Sequence, residues 1–260
     1  MTIKTPNVAG MFYPGEARVL RDMIADYLSA APLREGMRAR GLIAPHAGYI
    51  YSGPVAAYGY KQLTMLPDRE WKVIVMAPSH FAYFPGVAVG DFSGYQTPLG
   101  VVEVDTGSVK TLLANPLFQV VPEAFAQEHA LEVQLPFLQT VLKRFKLIPL
   151  VFGEADSREA AESLNKIIND DTLVVASSDL SHYHPYKEAK ALDQACVQVV
   201  LKSDIGLMAG EEACGKGPIL TLMHIARMRG WKFKLMDYRN SGDTAGDKDA
   251  VVGYASIIAV

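Results

Sequence analysis

Five short stretches of this chain are apolar almost without a break, and each is bounded by glycine, proline or a polar residue. They are Gly41-Leu42-Ile43-Ala44, Lys72 to Ala77, Leu147 to Phe152, Thr172 to Ala176 and Val251 to Ile258. Runs of this length and continuity predict strands buried on both faces, the mark of a mostly parallel sheet covered on two sides. Between them, residues 15–29, 53–64, 128–143, 156–169 and 186–201 repeat apolar side chains at helical spacing. The clearest is 128–143, with Leu131, Leu135, Leu138 and Leu142 four and three residues apart. Strands alternating with helices give an α/β fold, a central mostly parallel or mixed sheet with helices on both faces. Residues 86–104, with Gly94 and Pro98-Leu99-Gly100 between Val-rich runs, read as an inserted hairpin. At 260 residues, with no repeat or low-complexity linker, the chain is expected to form one domain over 1–260.

Charge narrows the partners. Twenty-five basic against 28 acidic residues leave a net charge of −3, which offers no electrostatic footprint for nucleic acid or anionic lipid and favours a small-molecule or peptide ligand. The N-terminal residues lack an apolar signal core and no run approaches the ~18 apolar residues of a membrane span, so a cytoplasmic location is expected. Cys196 and Cys214 are the two cysteines, too few for a disulfide scaffold or a four-cysteine zinc site. Any metal must use histidine and oxygen donors, with at most one cysteine among them.

The polar residues that bear chemistry sit where strands end. The first strand runs into Pro45-His46, the second into Pro78-Ser79-His80 and a third into Ser177-Ser178-Asp179-Leu180-Ser181-His182. The predicted strand Lys234–Tyr238 runs into Asn240-Ser241-Gly242-Asp243-Thr244-Ala245-Gly246-Asp247. In a parallel sheet the carboxyl ends share one edge, where ligand sites form, so residues far apart in sequence converge there. A proline shortly before each of His46 and His80 stiffens the exit. A lone histidine after a strand is as often a satisfied turn residue, and no His-Glu-x-x-His or Cys-x-x-Cys spacing is present. Recurrence at several strand ends is what favours a site.

Other candidates carry two readings. His129 and Glu132 stand three apart on the predicted helix and either point together into the pocket or form an N-terminal pair that suits the helix dipole. Tyr49, Tyr51 and Tyr183 either donate to a ligand or pack with one hydrogen bond. Gly210 to Gly217 has the spacing of a phosphate loop, but Gly217 stands where a magnesium-binding hydroxyl belongs and no strand precedes it. Cys214 opens a predicted helix, Pro218 to Arg229, whose dipole would lower its thiol pKa; it reads as structural, with a Cys-Gly pair near the pocket as the alternative, and Cys196 and His224 read as packing.

These segments resemble the Memo family over essentially the whole chain. The blocks are Ala9-Gly10-Met11-Phe12-Tyr13-Pro14, Ile43 to Tyr49, Tyr51-Ser52-Gly53-Pro54, Pro78-Ser79-His80, Thr97-Pro98-Leu99-Gly100, Glu128 to Phe137, Ser177 to His182 and Gly253-Tyr254-Ala255. The resemblance implies a fold like that of class III extradiol dioxygenases, which hold non-haem Fe(II) with two histidines and a carboxylate and keep a further histidine for proton transfer. It makes His46 and His80 the histidine ligands and His182, with Asp179, the acid/base pair. Some members supply a cysteine as third ligand; counting back from Gly253 places Thr244 there, so Asp243 is expected to complete a two-histidine, one-carboxylate set, with Asp247 or water as alternatives. Tyr49, His129, Glu132 and Thr244 are then the substrate-contacting residues.

Two functions follow. One is a metal-dependent oxidoreductase using Fe(II), or zinc in a hydrolytic or lyase variant, on an unidentified small molecule. The other is a non-catalytic module that holds a peptide in the same pocket. Prokaryotic relatives tend to accompany a radical-SAM protein, which implies association with one.

Overall fold

The computed structural model describes residues 2–260. Its strands are β1 (Ile3–Lys4), β2 (Gly41–Ala44), β3 (Glu70–Pro78), β4 (Val87–Val89), β5 (Gly94–Thr97), β6 (Gly100–Glu103), β7 (Phe118–Gln119), β8 (Arg144–Phe152), β9 (Thr172–Ser177), β10 (His182–His184), β11 (Phe233–Asn240) and β12 (Val251–Ala259). All five apolar runs fall inside strands. The four central ones, β2, β9, β3 and β8 in that order, are parallel, and every residue of β2 and β9 is buried.

Antiparallel strands flank this core. On one side β12 pairs with β2, and β11 and β10 pair with β12; on the other β4 pairs with β8 and carries β7 parallel to it. Two reversals bring β11 back to the direction of β2, so Asn240 ends at the same edge as Ala44, Pro78 and Ser177. The segment 86–104 is more divided than a hairpin. Its Val87–Val89 joins the large sheet, while β5 and β6 form the hairpin proper and pair with β1 in a separate three-stranded sheet.

Adjacent residues of β2 show the helices on both faces, because successive side chains of a strand point opposite ways. At Gly41 a Cβ would meet Leu222 of the helix Lys216–Arg229 at 2.9 Å, whereas the Leu42 side chain fills the space where Gly59 of the helix Tyr49–Leu63 has no Cβ. Both glycines are needed for that close approach. The expected helix over 128–143 is broken. A 3-10 turn at Glu132–Gln134 precedes a helix of only Leu135–Val141. The Glu128 carboxylate takes the N–H groups of His129 and Ala130 at 2.9 and 2.8 Å, and Pro136, which has no N–H, is tolerated only in a first turn. Leu131, Leu135, Leu138 and Leu142 are buried all the same, so the periodicity marked the core faithfully while misplacing the helix start.

Candidate metal centre

The strand ends deliver their histidines to one place. His46 lies two residues beyond β2, His80 two beyond β3 and Asp179 two beyond β9, and Ala44 and Ser177 are direct register partners. The Asp179 carboxylate accepts the His46 backbone N–H at 2.8 Å, which ties two of these exits together.

Hydrogen bonding decides the form of each imidazole. Ser177 Oγ lies 2.9 Å from His46 Nδ1 and also contacts the Ala130 carbonyl at 2.7 Å and Gln134 Nε2 at 2.8 Å. A carbonyl only accepts, so the hydroxyl proton goes to Ala130, and the Ser177 oxygen accepts from Gln134 and from His46 Nδ1–H. His46 is thereby held with a bare Nε2. His80 Nδ1 lies 3.0 and 3.2 Å from the two Glu128 oxygens, and Glu128 also accepts the His80 backbone N–H at 2.7 Å. A carboxylate acceptor fixes Nδ1–H again and leaves Nε2 bare, which is how metal-ligating histidines are oriented.

His129 completes a group of three. Donor atoms of His46, His80 and His129 all lie within 4.8 Å of one another. The His129 ring stacks on His80 with centroids 5.1 Å apart and stands edge-on to His46 at 5.7 Å. Burial, with the neighbouring imidazoles, pushes His46 down to about 3 and His129 down to about 4, so both are neutral at pH 7, the form that ligates metal. Burial alone would raise the Glu128 carboxyl, but the His80 hydrogen bond and the backbone donors outweigh it and hold it at about 2. His80 responds in kind: burial pulls it down, and Glu128 more than reverses that. A fourth donor stands close by, with Cys214 Sγ 3.4 Å from His46 Nε2. Burial, then the Asp179 charge, pushes its thiol up to about 12. Without metal the thiol proton has two acceptors in reach, the bare His46 Nε2 at 3.4 Å and the Asp179 carbonyl at 3.6 Å, and a bound ion would displace that proton.

The group opens on a cavity of about 880 Å³, walled by Phe12, Tyr49, Tyr51, His182, Tyr183 and Tyr254 among others. Tyr183 is 76 % exposed at its mouth and has φ +61°, a left-handed conformation costing a non-glycine residue about 1–2 kcal/mol. A second cavity, about 650 Å³ and lined by Arg21, Glu70, Glu103, Lys143, Arg144 and Lys146, has mixed solvated charge and lies away from the histidines.

The family model described as Memo, "Memo-like protein", matches residues 4–258. The chain belongs to the Memo family. MEMO1 family proteins of Archaeoglobus fulgidus and Methanosarcina mazei are 37 % and 36 % identical to it, covering 98 % and 99 % of this chain and 99 % of each of theirs. That of Nitrosopumilus maritimus is 33 % identical over 98 % of both chains. The crystal structure of an uncharacterized protein from Escherichia coli K12 shares the fold, with TM-score 0.53 and 13 % identity over 85 % of this chain and 100 % of that one.

Within this Memo-family chain, several expected site residues lie elsewhere. Asp243 is not a ligand to the histidine group. Its Oδ2 accepts the Asn240 backbone N–H at 3.2 Å in a capping box of the short helix Ser241–Thr244, and its Oδ1 accepts the Tyr186 hydroxyl at 2.7 Å, so both oxygens are taken. Thr244 donates to the Ser241 carbonyl at 3.3 Å and is not among the cavity's lining residues. The Glu132 carboxylate faces the N-terminal segment, accepting Asn7 N–H at 2.5 Å, Val8 N–H at 3.0 Å and the Tyr13 hydroxyl at 2.5 Å. Tyr49 lines the cavity, but its hydroxyl is spent on the Val133 carbonyl at 2.7 Å. His182 and Asp179 both lie in the wall. Cys214, read from sequence as structural, is the cysteine that reaches the site, and Thr244 does not stand in for it. The Cys214-Gly215 pair before a helix was the signal: a Cβ at Gly215 would collide with the Ser177 carbonyl, so this turn must pack on the end of β9.

Proposed function

We propose that this Memo-family chain binds a divalent metal through His46, His80 and His129, with Cys214 as a further donor, and acts as a non-haem iron oxidoreductase on a small molecule. The supporting observation is the pair of fixed tautomers: Ser177 and Glu128 occupy Nδ1 of His46 and His80 and leave Nε2 of both free in the same cluster. A histidine–thiolate set suits iron, zinc or copper more than magnesium or calcium; Fe(II) is the ion we favour and Zn(II) the alternative. When bound, such an ion supplies a Lewis acid and, as iron, a redox centre.

The chain's own groups provide the rest. Asp179, whose carboxyl burial raises against the pull of the His46 N–H, keeps the two strand exits in register. His182 lies in the cavity wall, and we assign it the exchange of a proton with a ligand beside the histidines. Among the described residues no helix is long and apolar enough to cross a membrane; a cytoplasmic setting, and association with a radical-SAM protein, belong to the same proposal.

Anaerobic purification followed by elemental mass spectrometry tests it, on the wild type and on His46→Ala, His80→Ala, His129→Ala and Cys214→Ser. Near-stoichiometric iron or zinc, lost in the histidine variants, is the expected result. Metal no higher in the wild type than in His46→Ala, before and after reconstitution, overturns the reading.

A further inference from the structure

The cavity's charge says what the outer part of a ligand must be. Histidines apart, the ionisable wall residues with charge to offer are Asp179 and Asp247, and no lysine or arginine lines it. Lys248, the chain neighbour of Asp247, lies with Nζ 4.7 Å over the Tyr186 ring instead. Asp247 gives one carboxylate oxygen to the Asp249 N–H at 3.0 Å. A helix N-terminus, which favours anions, does enter the wall at Gly48–Tyr51. Of its first donors, Tyr49 N–H goes to the Phe12 carbonyl at 2.7 Å, and Tyr51 and Ser52 N–H go to the Gly48 carbonyl at 2.8 and 3.0 Å, which leaves only Ile50 N–H.

What remains is aromatic. Phe12, Tyr51, Tyr183 and Tyr254 belong to the wall, and Met11 and Ile50, 72 % and 54 % exposed, extend it apolar to the mouth. Ring faces and a carboxylate attract a cation, whereas an anion is offered hydroxyl donors but, histidines apart, no positive side chain.

We infer that the cavity takes a ligand with an aromatic body whose outer arm is cationic or neutral, an aromatic amine rather than a carboxylated, sulfonated or phosphorylated compound. Asp247 and the tyrosine rings receive the arm, while the inner end faces His46, His80 and His129. The inference deepens the proposed function, since it takes this cavity as the ligand site, but it concerns the arm and not the metal.

Three para-substituted phenols that differ in the charge of the arm test it: tyramine, p-cresol and 4-hydroxybenzenesulfonate, whose sulfonate is a weak metal ligand. Calorimetric titration at neutral pH is carried out on the protein as purified and after zinc loading, with metal content measured on the same samples. Tyramine is expected to bind at least tenfold more tightly than the sulfonate, with p-cresol between them. In Asp247→Asn the tyramine-over-cresol gap should shrink while cresol binding holds. A sulfonate that binds as well as tyramine, or no phenol bound at millimolar concentration, overturns the inference; an unchanged gap in Asp247→Asn removes Asp247 from it. Amine preference in a protein that takes up no metal would sink the metal proposal alone, and metal uptake with sulfonate preference would sink this one alone.

Discussion

Glu128 and Glu132 are four residues apart in one segment, both 5 % exposed, and their carboxylates hold different parts of the molecule. Glu128 collects the His80 ring and three backbone N–H groups, of His80, His129 and Ala130. Glu132 collects the Asn7 and Val8 N–H groups and the Tyr13 hydroxyl, anchoring the segment that brings Met11 and Phe12 to the cavity wall. Burial is equal, so it does not tell the two apart. Each carboxylate takes its role from the donors that would otherwise be stranded: the His80 ring in one case, the segment Asn7 to Tyr13 in the other.

If the Glu132 clamp is structural, its removal should cost the most. Glu132→Ala leaves two buried donors and one half-buried donor unpaired, at about 1–3 kcal/mol for each buried one. With partial relief by water, the unfolding free energy from urea titration should fall by about 3–5 kcal/mol. Zinc affinity per folded molecule should change less than threefold. A collapse of zinc binding without loss of stability would reverse the roles assigned to the two glutamates.

Acid should expose Glu128 next. Its folded value near 2 lies below the usual 4.5, so its contribution is complete above pH 4.5 and is lost as pH falls toward 2, about 3 kcal/mol in all. His46 and His129, held near 3 and 4 against the usual 6.5, act in the same direction: below pH 6.5 the unfolded chain takes protons they refuse. His80, raised by Glu128 over the opposing effect of burial, works the other way and gains stability as it charges. In the metal-free protein the urea midpoint should therefore decline from about pH 6.5 and fall more steeply below 4.5. A midpoint that stays flat down to pH 4 would contradict the neutral, buried state of His46 and His129.

Glu128→Gln sharpens the contrast at the metal. The amide keeps an acceptor for the backbone but gives His80 Nδ1 a weaker partner, and losing such a support typically lowers metal affinity ten- to a hundredfold. Competition against a chelator reads this directly. Equal affinity in the variant and the wild type would mean that Glu128, like Glu132, only holds the fold.

How much of this was legible in the sequence follows from what each signal measures. Continuous apolar runs report burial on two faces, and all five runs are strands. His46 and His80 were legible because parallel strands must end at one edge, and a proline near each strand end marked the exit. His129 was visible as a candidate, but its place beside His46 and His80 was not, because the helix expected to carry it starts later, at Leu135. Cys214 was harder to read for another reason. It meets His46 through a turn that packs on β9, a contact between residues 168 apart, and the Cys-Gly pair before a helix is its one local signal.

Asp243 was the misplacement, and its own surroundings explain it. A carboxylate just after a strand at the ligand edge reads alike whether it enters the cavity or caps its helix. Asn240-x-x-Asp243 follows the capping-box spacing with Asn and Asp in place of the usual Ser/Thr and Glu/Gln, and the structure follows that pattern. Asp243 is thus a third acidic residue of the kind that opened this comparison, this time exposed and serving one local and one distant donor. Asp243→Ala should lower stability by about 0.5–2 kcal/mol, the cost of a lost cap, and leave metal content per folded molecule at the wild-type level. Tyr186→Phe removes one of the same two hydrogen bonds and should give a smaller loss of stability, again without loss of metal. Metal that disappears in Asp243→Ala but persists in Tyr186→Phe would return the carboxylate to the ligand set and require the loop 241–250 to close on the histidines when the ion binds.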